Sequence, residues 1–201
     1  MKEDIYIVMN KPCGYVCSTM SDRSHVIFEL IDPKLLEECR KNGKNLHTVG
    51  RLDKETEGLL ILTTDGKFSH NLTVPSHCVN KIYRVFLRDS VDNEGQEEYS
   101  VKFAEGVVLP AEKKFPEQFS RPAKISWISP AEAEVTVTEG KFHQVRRMFM
   151  AMDNEVVKLK RIAVDFLCLD DSLKSGEYRR LTADEVLALK KAYEEKMTLG
   201  K

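Results

Sequence analysis

The chain has 201 residues, of which 42% are hydrophobic and 31% are charged. A chain of this length can bury a core without disulfides or a structural metal, and this composition excludes collagen-like, coiled-coil and wholly disordered proteins. Its 31 basic and 32 acidic side chains give a formal net charge of -1, which by itself argues against a nucleic-acid-binding protein.

The sequence has no feature typical of a membrane or secreted protein. The longest apolar stretch near the middle, residues 59–62, has only the length of a strand, and the amino terminus lacks a cationic segment followed by a long apolar one. The five cysteines are scattered, which is typical of a reducing compartment. Cys13 and Cys17 with His25 lack the second closely spaced ligand pair that a zinc site needs. We therefore expect a cytoplasmic protein without a metal.

Apolar runs and alternating patterns predict a mixture of strands and helices. In chain order the prediction is strand 5–9, strand 15–18, helix 33–39, strand 59–63, helix 67–72, strand 81–87, helix 92–105, strands 107–109, 124–128 and 133–138, helix 143–152, strands 156–159 and 166–169, and helix 182–196. The last helix opens with a capping box at Thr182. Because no repeat or linker interrupts this order, we expect a single α+β domain over residues 1–201.

A glycine, a cation and a carboxylate stand together in Gly50-Arg51-Leu52-Asp53, in a predicted loop before the apolar run at 59–62. Loops that are held on a rigid scaffold often carry catalytic groups. For an isolated tetrapeptide, a surface turn with an ion pair between Arg51 and Asp53 is the better interpretation. The sequence on both sides changes this assessment.

Five segments in order resemble the RsuA-like family of RNA pseudouridine synthases, which modify ribosomal RNA. The segments are Asn10-Lys11-Pro12 with 14–16, His47 to Asp53 with 56–60, Lys81 to Val85, Glu139 to Phe149, and 159–161 with 176–182. The match covers nearly the whole chain. It implies the pseudouridine synthase catalytic fold, a mostly antiparallel mixed sheet with flanking helices, in two halves around one central active-site cleft.

The chemistry that the resemblance implies suits these residues. Pseudouridine formation breaks the bond from ribose to a uracil nitrogen and rejoins the base through carbon, which requires a nucleophile, a proton transfer and a dry pocket. By resemblance Asp53 is the nucleophile, Arg161 keeps it ionised, Tyr83 stacks on the base and takes part in proton transfer, and Leu159 forms an apolar wall. Taken alone, Tyr83 and Leu159 would be core residues and Arg161 a solvated or phosphate-binding cation. The sequence leaves open whether Asp53 attacks the sugar, attacks the base ring or promotes elimination to a glycal.

Charges are distributed unevenly along the chain. Residues 141–161 contain six Lys or Arg against two acidic residues, whereas residues 92–105 contain five acidic residues and one lysine. The near-zero total therefore hides a basic segment beside the proposed catalytic strand, which favours contact with RNA. The candidate RNA-binding residues are Arg51, Lys81, Lys141, His143, Gln144, Arg146, Arg147 and Lys160.

Two departures from the family pattern affect substrate choice. Family members usually carry a small RNA-binding module before the catalytic domain, whereas this chain begins at the catalytic strand. Family sequences also commonly have Ile-Gly where this chain has Val164-Asp165. The match to 15–19, 69–77 and 176–179 favours a uridine of 16S small-subunit rRNA, with 23S large-subunit rRNA as the first alternative.

Other functions also fit parts of the sequence. A non-catalytic RNA-binding ribosome-assembly protein would not need a carboxylate such as Asp53 in a basic cleft. A retaining glycoside hydrolase would need a second carboxylate about 5 Å from Asp53, for which Glu55 or Glu57 could serve. We expect a monomeric isomerase without metal or organic cofactor, whose partner is ribosomal RNA or a ribosomal-subunit assembly intermediate.

Overall fold

Strands and helices alternate along the chain in the computed structural model, which describes residues 3–20 and 23–199. The strands are β1 (Tyr6–Lys11), β2 (His47–Thr48), β3 (Thr56–Thr63), β4 (Lys81–Leu87), β5 (Val108–Leu109), β6 (Gln118–Phe119), β7 (Lys124–Ser129), β8 (Glu132–Val137), β9 (Val156–Val164), β10 (Leu167–Cys168) and β11 (Tyr178–Arg180). The α-helices are α1 (Pro33–Lys41), α2 (Gly66–Thr73), α3 (Asn93–Glu105), α4 (Gln144–Met150) and α5 (Ala183–Leu199). Among residues 3–20 and 23–199, no helix is both long and apolar enough to span a membrane.

The predicted α+β class is confirmed, and one predicted strand is wrong. Residues 15–18 form only an isolated bridge between Val16 and Val26, because the chain leaves β1 through a turn at Gly14, where φ is +87°. The predicted strand 156–159 is longer than expected, since β9 continues to Val164. Four helices begin within one residue of their predicted starts, where the side chains of Asp32, Asp65, Asp92 and Thr182 accept hydrogen bonds from backbone amides of the first turn.

The chain divides into two compact units, and the first comprises Met1–Val79 and Ala163–Lys201. Here β1 lies between β3 and β11 and is antiparallel to both, while β2 pairs with the far end of β3. Residues of β3 are buried on both faces except Glu57. They pack against α2 and α5 in a core that contains the edge-to-face rings of Phe68 and Tyr193.

A tight turn in the first unit explains the unusual Val164-Asp165 pair. Asp165 joins β9 to β10 with φ +53°, a left-handed conformation that glycine adopts most readily and that aspartate tolerates better than most residues. The turn at this position is therefore kept although glycine is absent.

The second unit, Asn80–Ile162, has its own sheet and core. Its strands follow the order β9-β4-β8-β7, in which β4 is antiparallel to β8 and β8 to β7. The rings of Tyr99, Phe103 and Phe149 contact one another in the core, with centroids 5.3–5.7 Å apart. A separate two-stranded sheet, β5 with β6, precedes β7.

Candidate functional site

The loop between β2 and β3 carries Asp53, and contacts along this loop fix its backbone. Gly50 opens it with φ +68°, a conformation that costs glycine least. Leu52 is buried, and its amide faces the sulfur of Cys17 at 3.4 Å. The Thr56 amide donates to the Asp53 carbonyl at 3.1 Å and closes the turn. Asp53 itself is half-buried and Arg51 is exposed, so this loop holds a carboxylate at the surface in a fixed backbone conformation.

A fully buried lysine lies beneath this loop. The Lys11 ammonium donates hydrogen bonds to the carbonyls of Pro12, Lys54 and Thr56 at 3.0, 3.4 and 2.8 Å. Burial lowers the pKa of Lys11 below its ordinary value, and nearby acidic groups oppose that shift. These groups are Cys17, Cys13, Asp53 and Glu55. Lys11 therefore connects β1 to both ends of the loop segment that follows Asp53.

Glu55, on the same loop, forms a hydrogen bond with Cys13. The Cys13 thiol donates to a Glu55 carboxylate oxygen at 3.0 Å. This hydrogen bond, with partial burial, raises the pKa of Cys13 above its ordinary value. The thiol form is thus favoured, and Cys13 is not an activated nucleophile.

Three of the predicted catalytic residues lie on neighbouring strands of the second unit. Tyr83, on β4, is half-buried and packs against the core to which Leu159 belongs. Leu159 and Arg161 on β9 are both 4% exposed, while the exposed Lys158 and half-buried Lys160 alternate with them. The predicted shared face of Leu159 and Arg161 agrees with this alternation.

Two of the residues that the sequence assigns to RNA binding within 139–147 are buried and hydrogen-bonded inside the protein. Arg147 is fully buried and Gln144 is 5% exposed. The Gln144 amide donates to Glu139 and its carbonyl accepts from the Lys141 amide, at 2.9 and 3.0 Å. Arg147 donates to four backbone carbonyls, those of Leu109, Pro110, Pro116 and Phe142. Because their polar groups are already bonded and buried, Gln144 and Arg147 shape the surface from below and do not present their side chains to RNA.

The other candidate RNA-binding residues of this unit are accessible. Lys81, Lys141, His143, Arg146 and Lys160 are each half-buried. His143 adopts a left-handed backbone conformation, φ +47°, and its Nδ1 lies 2.8 Å from a Glu112 carboxylate oxygen. Arg146 donates to the Val156 carbonyl at 2.6 Å, and Lys141 pairs with Glu139. These contacts orient the side chains while leaving part of each exposed.

Lys11 anchors the Asp53 loop, and the sequence analysis does not include it among the candidate site residues. The sequence indicates it only as part of the Asn10-Lys11-Pro12 segment. The sequence does carry a signal, because Lys11 ends the strand that begins with the apolar run 6–9, and a cation buried in such a strand is costly unless it has several acceptors. The sequence did not show that the acceptors come from residues 54 and 56.

Comparison with known proteins gives consistent matches. A family model described as RNA pseudouridylate synthase matches residues 5–151. The Vibrio vulnificus protein named ribosomal small subunit pseudouridine synthase A is 42% identical over 183 residues, which are 90% of this chain and 72% of that protein. The Haemophilus influenzae protein of the same name is 41% identical over 95% of this chain and 76% of its own length. A solved structure described as a pseudouridylate synthase superposes with a TM-score of 0.80 at 41% identity, over 94% of this chain and 75% of that one.

Proposed function

The chain belongs to the RNA pseudouridylate synthase family, and we propose that it isomerises one uridine of 16S small-subunit rRNA to pseudouridine. The observation that carries the choice of substrate is the similarity to relatives named for the small ribosomal subunit, at 42% and 41% identity over at least 90% of the chain. Ribosomal RNA, free or in an assembly intermediate, is then the partner. We further propose that the enzyme acts as a monomer in the cytoplasm, which light scattering and cell fractionation can test.

The reaction needs only groups that the chain itself can supply. The bond between C1′ of ribose and N1 of uracil breaks, a bond between C1′ and C5 forms, C5 loses a proton and N1 gains one. Electrons are conserved, since the product is an isomer of the substrate. A nucleophile that adds and later leaves divides the exchange into two easier steps.

We assign the nucleophile to Asp53. Its carboxylate is half-buried on a loop whose backbone is fixed by hydrogen bonds from Thr56, Gly14 and the Lys11 ammonium. Fixed geometry matters because a displacement of about 1 Å can lower a reaction rate by about 100-fold.

We assign supporting roles to Tyr83, Leu159 and Arg161. The Tyr83 ring stacks on the target base and its hydroxyl takes part in moving the C5 proton, while Leu159 supplies an apolar wall. Arg161 stabilises the ionised nucleophile. Its burial supports this role, because a guanidinium that is 4% exposed must be compensated by acceptors or a counter-charge.

Mapping of pseudouridine in rRNA tests the substrate. Cells with and without the gene are compared by a carbodiimide-based or mass-spectrometric readout, and purified enzyme is incubated with 16S and 23S transcripts. We expect one 16S uridine to lose its modification in the absence of the gene. A changed 23S site would reassign the substrate to the large subunit. No change at any rRNA site, together with retained RNA binding, would support a non-catalytic assembly protein instead.

A pair of variants tests the nucleophile. Asp53→Asn keeps the size of the side chain but removes the nucleophilic charge, so we expect isomerisation to fall by at least about 10³-fold with rRNA affinity within about twofold of wild type. Glu55→Gln is the matched control, because its side-chain oxygen can still accept the hydrogen bond from Cys13. Turnover by Asp53→Asn close to that of Glu55→Gln would exclude Asp53 as the nucleophile.

A further inference from the structure

A short basic turn projects from the connection between β5 and β6. The backbones of Glu112 and Phe115 exchange two hydrogen bonds, each 2.9 Å, so Lys113 and Lys114 form the tip of the turn. Both lysines are exposed, and Lys113 has a left-handed φ of +54°. This Glu112–Phe115 turn therefore presents two adjacent ammonium groups from a closed backbone ring.

The base of the turn is anchored by a buried guanidinium. Arg147 donates to Pro110 at 2.8 Å and to Leu109 at 3.2 Å on the incoming side, and to Pro116 at 2.8 Å on the outgoing side. One side chain from α4 thus fastens both ends of the loop. An arginine suits this role because its five N–H donors are spread over a planar fork, whereas a lysine presents its three donors from one nitrogen.

The side of the turn is held by stacked aromatic rings and by a hydrogen-bond contact between His143 and Glu112. Phe115 stacks on Phe142 with centroids 3.9 Å apart, and Phe142 stacks on the His143 ring at 3.8 Å. His143 also holds Glu112 at 2.8 Å. The contacts of the lysine ammonium groups are with rings: Lys113 lies 5.9 Å from the Phe142 centroid and Lys114 lies 5.8 Å from the Phe115 centroid. Because these contacts hold the backbone of the turn, binding through its lysines costs less backbone entropy than binding through a flexible loop.

Two acidic residues flank the lysine pair, but neither lies at the tip. The Glu112 carboxylate is held 2.8 Å from the His143 ring, and Glu117 is exposed beyond Phe115. Glu112 also lines a surface cavity of about 360 Å³, together with His143 and Arg146, which are expected to contact RNA, and with Arg88, Asp153 and Glu155. The turn therefore reaches this cavity through Glu112, next to His143 and Arg146.

We propose that the Glu112–Phe115 turn binds the rRNA backbone, with Lys113 and Lys114 each neutralising a phosphate. Ammonium groups on a rigid tip suit a polyanion, since each phosphate contact releases condensed counterions and strengthens binding at low salt. The inference rests on the proposed function, because it takes rRNA as the ligand.

Salt-dependent binding of a 16S transcript tests the turn. Binding is measured in the Asp53→Asn background, where turnover does not intervene, with and without Lys113→Gln and Lys114→Gln together. The matched control replaces two exposed lysines of the same unit, Lys102→Gln with Lys124→Gln, and changes the net charge equally. Thermal unfolding of both double variants reports whether either substitution disturbs the fold.

Loss of two phosphate contacts to a single strand lowers the slope of log affinity against log salt by about 1.4 and weakens binding by about tenfold at 0.15 M salt. We expect this change for the turn variant and not for the control. An unchanged slope, with a dissociation constant within twofold of the control, would overturn the proposal. Weaker binding to partly assembled small subunits but not to naked transcript would also overturn it, because the turn would then contact a protein.

This design distinguishes a failure of the proposed role of the turn from a failure of the proposed enzymatic function. Isomerisation is measured on the wild-type enzyme and the salt slope on the Asp53→Asn background. Wild-type turnover with an unchanged slope refutes only the turn, whereas a reduced slope without any wild-type turnover refutes only the proposed function.

Discussion

Replacement of Lys11 by methionine is expected to weaken both the fold and the Asp53 loop. Methionine keeps most of the side-chain length in a position that is fully buried, but it cannot donate. The carbonyls of Pro12 and Thr56 then lose the ammonium donor at 3.0 and 2.8 Å. The Lys54 carbonyl is affected less, because its bond to Lys11 is 3.4 Å long and it also accepts from the Gly14 amide at 2.8 Å.

The magnitude follows from these contacts. A buried acceptor left without a donor costs about 1–3 kcal/mol, so two such carbonyls cost about 2–6 kcal/mol. Removing a buried charge offsets part of this, since desolvation of the ammonium no longer opposes folding. We therefore expect Lys11→Met to lower the free energy of unfolding by about 3 kcal/mol. Because the loop is released on the side of Asp53, we also expect kcat for isomerisation to fall by at least about tenfold.

Urea unfolding and steady-state kinetics check this prediction, at a temperature where the variant is fully folded. Lys54→Met is the matched control, because Lys54 lies on the same loop but is exposed, and we expect it to change stability by less than about 0.5 kcal/mol. Affinity for the transcript should change little, since Lys11 does not reach the surface. If Lys11→Met unfolds within 0.5 kcal/mol of the control and retains its kcat, the anchoring role is refuted.

Two further predictions concern stability. Among the described residues, the buried hydroxyl of Thr56 has no hydrogen-bond partner, so Thr56→Val should raise the free energy of unfolding by about 1 kcal/mol in urea titrations. A loss of stability in Thr56→Val would show that the Thr56 hydroxyl does have a hydrogen-bond partner. The hydrogen bond from Arg179 lowers the pKa of Glu185, so the pair stabilises the fold above the ordinary glutamate pKa and loses this effect as the pH falls through the lowered pKa. Glu185→Gln should therefore cost about 0.5–1 kcal/mol at pH 7 and nothing near pH 2, and an equal cost at both pH values would contradict the assignment.

Most of the fold was predictable because local signals agreed with tertiary packing. The capping box predicted at Thr182 is present, since capping depends only on residues of the first turn, and Asp32, Asp65 and Asp92 cap three further helices in the same way. Residues 15–18 misled the prediction because Tyr15 and Val16 have high strand propensity, yet the only ladder contact there is the bridge to Val26. The short strand Gln118–Phe119 was missed because two residues carry no periodicity.

The candidate site was predictable only where a motif names the residue. The loop at Asp53 and the strands of Tyr83 and Arg161 were found by resemblance, and their neighbours were not. Lys11 acts through carbonyls of residues distant in sequence, and carbonyl acceptors are the same for every residue type. No sequence pattern can therefore identify them before the fold is known.

Charge counting along the chain overstates the positive charge that is accessible, for a related reason. The basic stretch 141–161 has six cations, but Arg147 and Arg161 are buried, which leaves four accessible against the exposed carboxylates of Asp153 and Glu155. An electrostatic surface depends on exposed charge, and a short helix such as α4 turns some of its cations inward. Arg147 nevertheless contributes indirectly, because its buried guanidinium fixes the loop that exposes the lysine pair at 113–114. The accessible cations thus come from segments about 30 residues apart, which are held together by Arg147, a residue that the sequence analysis assigns to RNA binding.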